Sequence, residues 1–172
     1  MDVSLPSPWR KTGDFAVGGL AEVGYEPDSD LLLVLSSNGR GIFDGVTGER
    51  VARDRTEEYL MDSVKLAAPG FDMLDGVTVR TAGLSGGGLP TGTADGWTLL
   101  VLPLPYTRNG RYLLDHEVSL YHGRAAPDAV VIAEPTPCEL RAYGFSETGN
   151  SFVIAGSCGL KLFARAPEEP TR

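Results

Sequence analysis

At 172 residues, 42% hydrophobic and 22% charged, the chain is long enough to bury a core without metals or disulfides and too apolar to be disordered throughout. Its 22 glycines and 12 prolines favour many short strands joined by turns over a helical bundle. Fifteen basic against 23 acidic residues give a net charge of −8, which repels nucleic acid and anionic membrane and admits a basic protein as partner.

Residues 1–11 (MDVSLPSPWRK) carry an acid and two prolines and lack the apolar stretch of a secretory signal. Residues 31–36 (LLLVLS) form a continuous apolar run, expected to be a strand buried on both faces. The run leads to Asn38-Gly39, the dipeptide suited to a type I′ hairpin turn, with residues 40–44 as the returning strand. Residues 56–66 (TEEYLMDSVKL) carry a capping Thr56, acids in the first turn, and Leu60 and Val64 at i, i+4 spacing, which predicts one short amphipathic helix. A strand is expected at 76–81. Glycines then crowd residues 83–96 into a long loop, and strands follow at 97–101 and 102–107. A second Asn-Gly pair, Asn109-Gly110, joins the latter to a strand at 111–114, with further strands at 117–121, 129–133, 151–155 and 160–164. The longest apolar run, residues 97–105, is too short to cross a bilayer as a helix. The two cysteines, Cys138 and Cys158, are expected as reduced buried thiols, because the chain lacks an export signal. The compartment implied is the cytoplasm.

An internal repeat links the two ends of the chain. Residues 24–44 align without a gap with residues 144–164, offset by 120. Gly24/Gly144, Ser37/Ser157, Gly39/Gly159 and Phe43/Phe163 are identical, and Leu20/Leu140 extends the match upstream. With its Pro-Asp, Asn-Gly and Thr-Gly turns, the segment 23–49 (VGYEPDSDLLLVLSSNGRGIFDGVTGE) resembles a blade of a WD40-type β-propeller. Residues 36–54, together with 138–146 (CELRAYGFS), also resemble a group of small bacterial proteins of no assigned function. A closed propeller needs at least four blades, and residues 55–135 hold no convincing further copy. The fold expected is therefore mainly β, with two blade-like antiparallel sheets packed as a sandwich or irregular propeller-like body and one short helix. The whole of 1–172 forms one domain, with repeats at about 20–54 and 138–165 and an insert over 55–137.

Chemistry is sparse. Gly83-Leu84-Ser85-Gly86-Gly87 fits the G-x-S-x-G nucleophile elbow, and Asp115, His116 and His122 follow in order. That motif requires a helix after the serine, and Gly88-Leu89-Pro90-Thr91-Gly92 is a poor start for one. The same loop lacks the Gly-Lys-Ser/Thr ending of a phosphate cradle. His116 and His122 share a strand face but stand about 20 Å apart, too far to hold one ion without a bend. Neither cofactor nor metal is expected. The reading favoured is a non-catalytic protein-binding module, of which an immunity-type neutraliser of a basic effector is one version. A serine hydrolase using Ser85 and a structural or assembly subunit are the alternatives. The candidate partner-binding residues are Asp54, Glu57, Glu58 and Asp62 of the acidic helix, with Ser85 of the glycine loop.

Overall fold

A computed structural model describes residues 4–56, 60–123, 129–133 and 138–166, with side chains for all of these except 104–108 and 111–115. The described residues are organised into four antiparallel sheets. Sheet I is the meander β2 (Leu20–Tyr25), β3 (Leu31–Ser36), β4 (Gly39–Asp44) and β5 (Arg50–Asp54), with the short β8 (Ala82–Gly83) beside β2. Sheet II orders β12 (Leu140–Phe145), β13 (Ser151–Gly156), β14 (Gly159–Arg165) and then β1 (Trp9–Ala16) from the other end of the chain. Sheet III pairs the twelve-residue β9 (Trp97–Arg108) and β10 (Arg111–His122), with β11 (Val130–Ala133) at its edge. The hairpin of β6 (Ala67–Pro69) and β7 (Thr78–Arg80) is the fourth sheet.

These sheets stack face to face. Leu32 and Val34 of β3 pack with Val153 and Ala155 of β13, so the first core lies between sheets I and II. The other face of β13, Phe152 and Ile154, packs against Trp97, Leu99, Val118 and Leu120 of sheet III. The other face of β3, Leu33 and Leu35, packs against Ala68, Val79 and Leu74 on the side of the fourth sheet. Strands sandwiched in this way present both sets of alternating side chains to apolar neighbours, which is why LLLVLS and FVIAG read as unbroken apolar runs.

The sequence repeat appears as a repeat of register. Leu20 pairs with Ser36 and Leu140 with Gly156, and each pairing is followed by an irregularity, before Glu22 in one and before Ala142 in the other. At the far end Leu31 faces Asp44 as Ser151 faces Ala164. The fourth strand is shared in kind as well. β5 pairs with β4 across a break opposite Ile42 and Phe43, and β1 pairs with β14 across the same break, opposite Leu162 and Phe163. The N-terminal strand therefore does for sheet II what β5 does for sheet I.

Four expectations are corrected. The four sheets are separate, and none is closed or propeller-like, so the WD40-type likeness of residues 23–49 does not extend to the architecture. The helix expected over 56–66 is not formed. Residues 57–59 lie outside the described residues, and Asp62 instead opens a turn closed by its own bridge to Ala67. There the Asp62 carboxylate accepts the N–H groups of Val64 and Lys65, a local alternative with which aspartate competes against helix. Helical geometry is confined to one 3-10 turn, Asp72–Leu74, among the described residues. The cysteines are not free thiols: Cys138 and Cys158 form a disulfide, with their Cα atoms 5.8 Å apart. Finally, the Asn38-Gly39 turn centres on Ser37 and Asn38, with Gly39 (φ +111°) as the first paired residue, whereas Asn109 (φ +52°) and Gly110 (φ +71°) adopt the expected type I′ geometry.

Candidate partner-binding face

Two segments that are far apart in sequence meet beside sheet I. The turn at 62–66 and the turn at 83–86 are joined by the Thr81 N–H donating to Leu66 O at 2.9 Å and by Ser85 Oγ lying 3.9 Å from Met61 Sδ. Beneath them Glu22 is fully buried, and its Oε1 accepts the Ser85 N–H at 2.7 Å. That bond fixes the 83–86 turn on the edge of β2. Three apolar side chains of these segments are left outside by the fold: Leu60 (45% exposed) and Leu84 (63%), next in sequence to Met61 and Ser85, and Val64 (90%) in the 62–66 turn. The i, i+4 spacing of Leu60 and Val64 that suggested a buried helix face instead marks exposed apolar positions.

The acidic candidates separate. Asp62 sits in this face, its carboxyl held below the ordinary range first by the Lys65 N–H and further by the Val64 N–H. Asp54 ends β5. The Thr56 N–H and hydroxyl, at 2.9 and 2.8 Å, and then Arg40 Nε, at 2.9 Å, hold its carboxyl at about 2. Arg40 in turn stacks over Phe71 and donates to Pro69 O, which ties β5 to the loop after β6. Both carboxylates are thus anionic at neutral pH. Glu57 and Glu58 lie outside the described residues.

Ser85 is not set in a nucleophile elbow. Residues 87–96 after it contain no helical turn, so the backbone N–H groups that a following helix would aim at an oxyanion are not arranged there. His122 donates to Asp95 O at 2.7 Å and packs on Trp97, while His116 lines clefts beside sheets II and III. Val118 and Leu120, between them on β10, are buried. Among the described residues no group of three His, Cys, Asp or Glu side chains is placed to hold a metal ion.

The rest of the glycine-rich segment is structural. Pro90 O accepts the Phe145 N–H at 2.7 Å, and Thr91 O accepts the Leu99 N–H at 2.9 Å, so residues 89–92 run between β12 and β9 as a tight backbone crossing. Next to it, Arg165 grips Asp95 through both guanidinium nitrogens, at 2.6 and 2.7 Å, and holds that carboxyl well below its ordinary range. No helix among the described residues is long and apolar enough to cross a membrane. No protein-family model matches the chain, and no match is found among curated proteins.

Proposed function

We propose that the chain is a non-catalytic binding module that docks a basic protein through the face formed by the turns at 62–66 and 83–86. The observation that carries this reading is the docking of the two turns at the Met61–Ser85 contact, with exposed Leu60, Val64, Leu84 and the anionic Asp62 on those segments and Asp54 at the end of β5. Exposed apolar groups beside acids whose ion pairs are local, Asp62 with Lys65 at 3.9 Å and Asp54 with Arg40 at 2.9 Å, suit a partner that brings apolar anchors within a basic surround. The net charge of −8 would speed the encounter with such a partner, and a basic effector neutralised by an immunity-type protein is one instance. The test is a photo-crosslinking residue placed at position 64, with the same residue at exposed position 147 as control. One basic host protein captured at 64 and not at 147, with capture lost when irradiation is carried out in about 1 M salt, is the expected result. Equal capture at both positions, or capture of acidic proteins, would sink the reading.

The disulfide bears on where the module acts. A Cys138–Cys158 bond persists in oxidising compartments and is rare in the cytoplasm anticipated from the N-terminal residues. We therefore expect protein quenched directly from host cells to show no titratable thiol. Two thiols per chain would restore the cytoplasmic reading.

A further inference from the structure

The stacked sheets create the same niche twice, once in each gap beside sheet II. In the gap between sheets I and II it is bounded by Val34, Ser36, Asn38 and Gly41. In the gap between sheets II and III it is bounded by the residues 120 further on, Ile154, Gly156, Cys158 and Lys161. The rim is clasped alike in both. Ser37 N–H donates to Gly19 O at 3.0 Å and Ser157 N–H to Glu139 O at 2.8 Å. Where Asn38 reaches Gly18 O at 3.5 Å in the first niche, the Cys158–Cys138 disulfide closes the second.

The contents differ. The first niche is about 120 Å³ and polar, with Arg40, Arg50 and Arg53 around it. The second is about 270 Å³, and its walls are mostly apolar: Val118, Ala133, Leu140 and Ile154. Such a volume lies just below the ~300 Å³ at which ligand pockets ordinarily begin, so any occupant is small. Three polar groups line this apolar space: Asp14 and Lys161 from sheet II and His116 from sheet III. Lys161 stands where the first niche has Gly41, and His116 comes from β10. Asp14, the cross-strand neighbour of Lys161, is ion-paired with Lys11. Among the described residues Lys161 has no ion-pair partner, although the chain carries a large excess of acids.

We propose that this cleft binds a small amphipathic carboxylate. The hydrocarbon body lies against Val118, Ala133, Leu140 and Ile154, and the carboxylate meets Lys161, with His116 as a second donor from the facing wall. An anion would not be drawn to a protein of net charge −8 by its overall field, so recognition has to be local. A lysine left unneutralised at the mouth of an apolar cleft supplies it. The disulfide fixes the rim from the β11–β12 connection to the β13–β14 turn, so that the apolar walls stay apart without an occupant. This site is built from different strands than the partner-binding face and stands or falls apart from it.

The experiment is a titration of the oxidised full chain with straight-chain carboxylates from butanoate to octanoate, read by methyl chemical shifts. Affinity is expected to rise about four-fold for each added methylene until the cleft is full. The shifts should centre on the methyls of Val118, Ala133, Leu140 and Ile154. Lys161→Met keeps the aliphatic stem and should weaken octanoate about ten-fold while leaving 1-octanol unchanged. Since Lys161 is only half-buried, that variant is expected to fold, and the chain-length series tests the site without any substitution. Octanoate binding weaker than about 1 mM, shifts scattered over the surface, or equal octanoate affinity in Lys161→Met would each overturn the proposal.

Discussion

Gly144→Ala is expected to destabilise the fold by about 4 kcal/mol, and Gly24→Ala by about 3 kcal/mol. These two glycines, 120 residues apart, do the same job on equivalent strands. A β-carbon on Gly24 would fall 2.0 Å from Arg80 O and 2.8 Å from Val79 Cγ1, and one on Gly144 would fall 2.3 Å from the Leu89 β-carbon and 2.7 Å from Pro90 O. In each case a stretch of backbone crosses directly over the meander: β7 over β2, and residues 89–92 over β12. Backbone cannot swing aside as the tip of a side chain can, so the crossing segment itself would have to lift. At Gly144 the lift would also disturb the Pro90 bond to Phe145, and its φ of +156° adds strain for any L-residue. Gly76→Ala is the matched control. It has a positive φ of +79° and nothing within 4 Å of the added carbon, so only the conformational cost of about 1 kcal/mol applies. Urea unfolding of the three variants separates the terms. Equal losses at Gly24, Gly144 and Gly76 would mean that the crossings are not tightly packed.

Those glycines also mark the limit of what the chain discloses by itself. Identity at Gly24 and Gly144 was visible in the alignment, and so were the runs 31–36 and 151–155, because strands buried on both faces carry an apolar signal at every position. The Asn109-Gly110 turn was equally plain, since its backbone demands are local. The polar β1, WRKTGDFA, has no such signal. It is a strand because β14, about 150 residues later, offers it hydrogen-bonding partners from Trp9–Arg165 to Ala16–Gly159. The helix expected over 56–66 fails for the converse reason: local spacing favoured it, and a bridge from Asp62 to Ala67 prevailed. Glu22 reads as a solvent-facing acid in LAEVGY and is fully buried, because Ser85 comes to it from 63 residues away. The candidate face is hidden for the same reason. Met61 and Ser85, next in sequence to Leu60 and Leu84, meet only once the two turns have docked.

Removing the Asp30 side chain should cost on the order of 3 kcal/mol, although the residue sits in a half-buried turn. Its carboxylate is the join between the repeats. Oδ1 accepts the hydroxyls of Ser146, at 2.7 Å, of Thr148, at 2.9 Å, and of Ser151, while Oδ2 accepts Thr148 again at 3.0 Å. The turn between β2 and β3 is thereby pinned to the turn between β12 and β13. Ser146 and Ser151 are themselves buried, at 2% and 0% exposure, so Asp30→Ala would leave hydroxyls that water cannot reach. Ser146 keeps a fallback in Ser151 O at 3.3 Å, whereas the buried Ser151 hydroxyl, beside the Tyr25 hydroxyl, gives its short bond to Asp30. The cost should therefore be coupled to Ser151. Asp30→Ala in a Ser151→Ala background is expected to lose about 1 kcal/mol less than in the parent, because the stranded donor is already gone. Asp30→Asn, which places at this position the residue that the second repeat carries as Asn150, keeps one strong acceptor and should fall between the parent and alanine. If the two alanine substitutions prove additive, the hydroxyl is satisfied some other way, and the two repeats are held together by the apolar core between sheets I and II rather than by this carboxylate.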